Sequence, residues 1–119
     1  MEYSLKDLDD LCVRLNHLCQ ELRRRVPEAV EEAVHVVQQI GSSLAWAYGL
    51  GLFRGEQFAQ PFVDRRATER LRELLLSGNP KLQAQVLQTI HILIQSTPME
   101  STLFCNLTAG WYLSATQKR

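Results

Sequence analysis

Leu8, Leu11, Leu15, Leu18 and Leu22 recur in steps of three and four, the period of one face of an α-helix. A chain that opens this way must bury a helical stripe. The same period returns in four later segments, and none sustains the period-two alternation of a half-buried strand. The chain therefore reads as all-α. With 119 residues, 45% of them hydrophobic and 22% charged, it has material for one core and one domain.

The first helix is expected over 5–25, capped by Ser4 with Asp7 at its third helical position, a start resembling a capping box. Arg23, Arg24 and Arg25 close it where positive charge suits the helix dipole. Pro27 opens a second helix over 28–48, with Glu28, Glu31 and Glu32 in its first turn and an apolar face through Val30, Val34, Val37, Ile40 and Leu44. Gly41, Ser42 and Ser43 interrupt that face with side chains small enough to admit a neighbouring helix. Gly49 to Gly55 reads as a connector with two apolar residues tucked inward, and it lacks the lysine and flanking strand of a phosphate loop.

A third helix is expected over 56–76, kinked near Pro61, with Phe58, Phe62, Leu71, Leu74 and Leu75 inward. Asn79 and Pro80 start a fourth over 80–96, whose stripe of Leu82, Val86, Ile90, Leu93 and Ile94 is expected to form the centre of the core. Thr97, Pro98 and Glu100 form a capping box that starts a fifth helix running to about Ala109. Trp111, Tyr112 and Leu113 begin something further.

Val36-Val37-Gln38-Gln39-Ile40 and Val86-Leu87-Gln88-Thr89-Ile90 match at an offset of 50 residues. A period of that size in an all-helical chain favours an armadillo/HEAT-like stack of about five to six helices over a closed bundle.

Composition narrows the function classes. Thirteen basic residues balance thirteen acidic ones, so the basic excess of a nucleic-acid binder is missing. Three cysteines, Cys12, Cys19 and Cys105, make neither a disulfide framework nor a zinc site. No cofactor or metal is expected. Cys12, His17 and Cys19 are the one hint of a nucleophile, but both cysteines flank the leucine seam and read as core. The expectation is a protein that is not an enzyme. No signal peptide or spanning segment is read, which places the chain in the cytoplasm with peripheral membrane association at most.

Leu87-Gln88-Thr89-Ile90-His91-Ile92-Leu93-Ile94-Gln95, followed by Glu100-Ser101-Thr102-Leu103-Phe104, resembles the L-Q-T-L-x-I-L-x-(E/Q) and E-T-S-L-Y segments of the FPL domain. That domain is the N-terminal part of a family of endosome and autophagy adaptors. Leu8-Asp9-Asp10-Leu11 is similar to the family's L-D-x-L, and Leu44-Ala45-Trp46 falls where it has L-I-W. The family's W-G-D-Q turn is replaced by Trp46-Ala47-Tyr48-Gly49, and no Phe-Pro-Leu triplet occurs. The chain thus looks like a truncated or divergent copy, a single domain over 1–119 that is incomplete at its C-terminal end.

The resemblance implies a scaffold in endosomal-lysosomal trafficking and autophagy, including mitophagy, with partners in trafficking or ubiquitin-ligase machinery on endosomal, lysosomal or Golgi membranes. The alternative is a structural or dimerising helical subunit of an unrelated assembly, suggested by the leucine seam. Arg65, Arg66, Arg70 and Arg72 form the densest basic patch and are the candidate partner surface. Leu107, Trp111 and Leu113 form the candidate self-association face, because no covering helix follows them.

Overall fold

Ser4 begins the structure as its spacing requires: its hydroxyl accepts from the Asp7 amide at 3.1 Å while the Asp7 carboxylate accepts from the Ser4 amide at 2.9 Å. The computed structural model describes the backbone of residues 2–117 and the side chains of residues 2–109. Six helices follow one another, α1 (Leu5–Arg23), α2 (Glu28–Gly49), α3 (Leu52–Asp64), α4 (Ala67–Leu75), α5 (Pro80–Ser96) and α6 (Thr102–Gln117). Among the described residues there is no strand, and no helix is long and apolar enough to cross a membrane.

The third expected helix is two. A continuous helix carrying Phe58 and Phe62 inward would next turn Arg65, Arg66 and Glu69 toward the core, an unfavourable burial of charge. The chain avoids this by breaking at Arg66, which adopts the left-handed conformation with φ 55°. The break rephases the helix, so that Ala67, Thr68, Leu71 and Leu74 become its buried side. Pro61, where a kink was expected, lies inside α3 and does not end it.

The last helix also starts later than its capping box suggested. The Thr97 hydroxyl turns back to donate to the Leu93 carbonyl at 2.7 Å, and Ser101 instead accepts from the Phe104 amide at 3.0 Å. Thus Ser101, fully buried, caps α6.

The centre of the core is α2 rather than α5. It packs on α1, α3 and α5 together, so small residues on its flanks, Ala29, Ala33, Gly41, Ser43 and Ala47, are buried along with Val37, Ile40 and Leu44. In α5 the stripe of Leu82, Val86, Ile90 and Leu93 is buried as expected, whereas Ile94 is 39% exposed. The leucine seam of α1 is core throughout, with Leu8, Leu15 and Leu18 fully buried and Leu11 and Leu22 packed against them.

Contacts between helices show how they stack. Glu31 pairs with Lys81, the Val37 carbonyl accepts from Thr89, and Gly41 meets Thr89; α2 and α5 therefore run parallel. Arg23 makes a two-bond pair with Glu73 at 2.5 and 2.7 Å, and Cys19 lies beside Arg70, so α1 and α4 also run parallel. By contrast, Arg14 on α1 pairs with Glu32 on α2 and Tyr3 meets Trp46, which makes α1 and α2 an antiparallel hairpin.

The first residues of α3 and α6, Leu52 and Thr102, are again about 50 apart. Two three-helix units, α1 to α3 and α4 to α6, are thus stacked in parallel. The offset seen in the V-V-Q-Q-I and V-L-Q-T-I segments is the step between them, as in an armadillo-like array.

Candidate protein-binding groove

At the corner where α1 begins, α2 ends and α3 begins, three aromatic rings form a ladder. Tyr3 meets Trp46 edge-to-face with centroids 5.6 Å apart, and Trp46 meets Phe58 at 5.7 Å. Such arrangements satisfy the ring quadrupoles and stiffen the wall they form. Gly51 makes the corner by adopting φ 127°, a conformation that L side chains avoid. The turn puts Leu50 and Phe53 on the outside, and Phe53 is 74% exposed. The sequence reading had two apolar residues of this connector tucked inward; Leu50, Leu52 and Phe53 all face solvent to some extent.

The three rings line a groove of about 550 Å³ together with Leu5, Leu50, Phe53, Arg54 and Gln57. Arg54 is exposed and makes no ion pair among the described residues. The groove offers aromatic walls, a lining of mixed polarity and one cation at its rim. Its signal was present in the sequence: Leu50, Leu52 and Phe53 stand among glycines where α2 turns into the first residues of α3, which places apolar side chains where water is.

A polar node anchors the corner from behind. The Tyr48 hydroxyl donates to Glu56 at 2.6 Å, and Glu56 accepts from the Thr102 amide at 3.0 and 3.1 Å, so one carboxylate from α3 caps the N-terminus of α6. Burial opposes ionisation of Glu56, but the bonds from Thr102, Tyr48 and the Leu103 amide outweigh it and hold the carboxyl below its usual range. Burial, then the bond to Glu56, pushes the Tyr48 phenol up. Gly55 is required because the Tyr48 ring lies across it, where any Cβ would overlap the ring.

The four candidate arginines do not share one surface. Arg65 reaches back to Asp9 of α1 at 2.5 and 3.1 Å, and the pair lines a second groove with Leu5, Lys6 and Asp64. Arg70 pairs with Glu73 at 3.0 Å, and with Arg72 it borders a different groove between the C-terminal ends of α1 and α4. Arg66 stands at the helix break, and neither it nor Arg72 makes an ion pair among the described residues. Two of the four charges are thus engaged within the fold.

The candidate self-association face is also divided. Leu107 is fully buried with Leu103 against the earlier helices, which withdraws it from any outer contact. The side chains of Trp111 and Leu113 lie outside the described residues.

Cys12 and Cys19 are almost fully buried, and burial first of all pushes their thiols up to about 12 and about 11. Neither is a thiolate at neutral pH, so neither is an activated nucleophile. His17 is exposed. Among the described residues no three His, Cys, Asp or Glu side chains converge in a way that could hold a metal ion.

Comparisons with protein-family models, with curated proteins and with solved structures find no match to this chain.

Proposed function

We propose that this chain is a non-enzymatic adaptor domain that works through protein-protein contacts in endosomal-lysosomal trafficking and autophagy, including mitophagy. The observation that carries the adaptor reading is the groove at the α1, α2 and α3 corner. A recess walled by Tyr3, Trp46 and Phe58, with Phe53 standing out at its rim, matches the chemistry of sites that take a side chain of a partner. Concave or grooved surfaces on stacked helices are also what repeat folds offer to partners.

The cellular setting rests on the similarity of the 86–104 segment and of the Leu8 to Leu11 and Leu44 to Trp46 segments to the FPL domain. On this reading the partners belong to trafficking or ubiquitin-ligase machinery, and the chain works on the cytoplasmic side of endosomal, lysosomal or Golgi membranes. It takes no cofactor and no nucleic acid.

Proximity labelling in cells tests both layers of the proposal. The wild-type chain is expected to label trafficking or ubiquitin-ligase components, and Phe53→Glu is expected to lose most of that labelling while keeping its helical circular dichroism. A neighbour set unrelated to membrane traffic sinks the cellular setting. An unchanged set in Phe53→Glu sinks the groove.

A further inference from the structure

Leu5 and Gln57 line two grooves at once. One is the aromatic recess; the other, of about 1000 Å³, continues from it between α1 and α3 as far as Arg65. Leu5 shares both grooves with Gln57, and Asp9 meets Arg65 further on, so α1 and α3 point the same way and a single seam runs between them. From Phe53 to Asp64 the wall supplied by α3 is about 16 Å long at the usual helical rise. That is the reach of about five residues of extended chain.

Two observations select the occupant. The first is a gap in the backbone bonding of α3. Pro61 lies inside the helix and has no amide to donate to the carbonyl of Gln57, one turn before it. Both residues line the seam, so its wall presents a backbone acceptor that the helix itself does not use. The exposed Gln57 carboxamide adds a donor and an acceptor at the junction of the grooves. The second observation is charge. Arg54 at the aromatic end and Lys6 beside the junction make no ion pair among the described residues, whereas the far end sets Asp9 and Asp64 against Arg65 alone. The seam is therefore cationic beside the rings and slightly acidic at its other end.

We propose that the α1/α3 seam takes an extended, acidic segment of a partner protein. A large apolar or aromatic residue of the segment enters the recess of Tyr3, Trp46 and Phe58, a neighbouring carboxylate pairs with Arg54 or Lys6, and a backbone amide further along donates to the Gln57 carbonyl. A helical ligand has already used its amides internally, and a lipid surface meets the protein with phosphate acceptors, so neither answers that carbonyl. This rests on the protein-binding reading of the aromatic groove and adds to it the conformation, length and charge of what binds there.

A display library of random short peptides, panned on the full chain, is expected to enrich sequences with a large apolar or aromatic residue and a nearby Asp or Glu. The tightest of them, made as a labelled synthetic peptide, then reads the variants by fluorescence polarisation. Pro61→Ala gives the Gln57 carbonyl a partner within the helix, so it is expected to bind the peptide about threefold to tenfold more weakly, the worth of one backbone hydrogen bond. It should nevertheless melt at or above the wild-type temperature, because a helix interior gains from losing proline. Lys6→Glu, which suits the first turn of α1, is expected to weaken binding roughly tenfold, and less at high salt. Methylating the peptide amides one at a time should find one position that matters to wild type and not to Pro61→Ala. A library that enriches basic, wholly apolar or unrelated sequences overturns the proposal, and so does a Pro61→Ala chain that binds the peptide like wild type. If Phe53→Glu still abolishes binding in that last case, the aromatic recess stands and only the extended ligand along the seam falls.

Discussion

Leu93 shows what a single side chain contributes here, being fully buried in the stripe of α5 that faces α2. Leu93→Ala removes three carbons from a fully buried site and should cost about 2–5 kcal/mol, depending on how far the pocket collapses. Denaturant unfolding measures this, and a midpoint equal to wild type would mean that the α5 stripe is not the inner one. Leu93 was legible from spacing alone, as were Leu8, Leu15, Leu18, Leu82 and Val86, because large apolar residues at steps of three and four mark a buried row. Ala29, Ala33 and Ala47 were not, since a small side chain is compatible with either environment. They are buried because α2 has neighbours on several sides, and that is settled by tertiary packing.

At the scale of elements, boundaries moved wherever an alternative hydrogen-bond partner or a rephasing came from outside the segment. Residues 97–100 carry a good capping box, yet α6 begins at Thr102 because Ser101 and Glu56 of α3 supply its cap. No local rule could weigh a carboxylate 46 residues away. The division of α3 from α4 was more accessible, since the inward positions after Phe62 fall on charged residues in any unbroken helix. Arg66 accepts a left-handed backbone to make that division, a conformation that costs a non-glycine residue roughly 1–2 kcal/mol. Arg66→Gly is accordingly expected to leave stability unchanged or raise it by up to about 1 kcal/mol, offset by the greater freedom of glycine in the unfolded chain. Arg66→Val should destabilise clearly. Equal melting temperatures for the two variants would count against the left-handed turn.

For the whole molecule, charge-charge and cap contacts lie between elements as often as within them. Asp9 with Arg65, Glu32 with Arg14, and Glu56 with Thr102 each tie separate helices together. The carboxyls of Asp9 and Glu32 are lowered chiefly by their arginine hydrogen bonds, and that of Glu56 by its cap bonds against burial. Groups with depressed native values stabilise the fold above their unfolded values and lose that contribution as pH falls through the native ones. The melting temperature should therefore hold from neutrality down to about the ordinary glutamate value of 4.5 and decline below it. Glu56→Gln should start lower and decline less, and an identical acid limb in the variant would remove Glu56 from the account. The armadillo-like stack was legible because one five-residue echo fixed the step between units. The aromatic groove escaped because a connector was assumed to hide its apolar residues. Gly41 carries a consequence for exchange with heavy water: its closeness to Thr89 holds α5 against the middle of α2, which also packs on α1 and α3. Amide protons around Val37 to Leu44 should then exchange only when the entire chain opens, with a free energy equal to that of global unfolding. Amides in the first turn of α3 should be labelled far sooner, through openings that leave the stack intact.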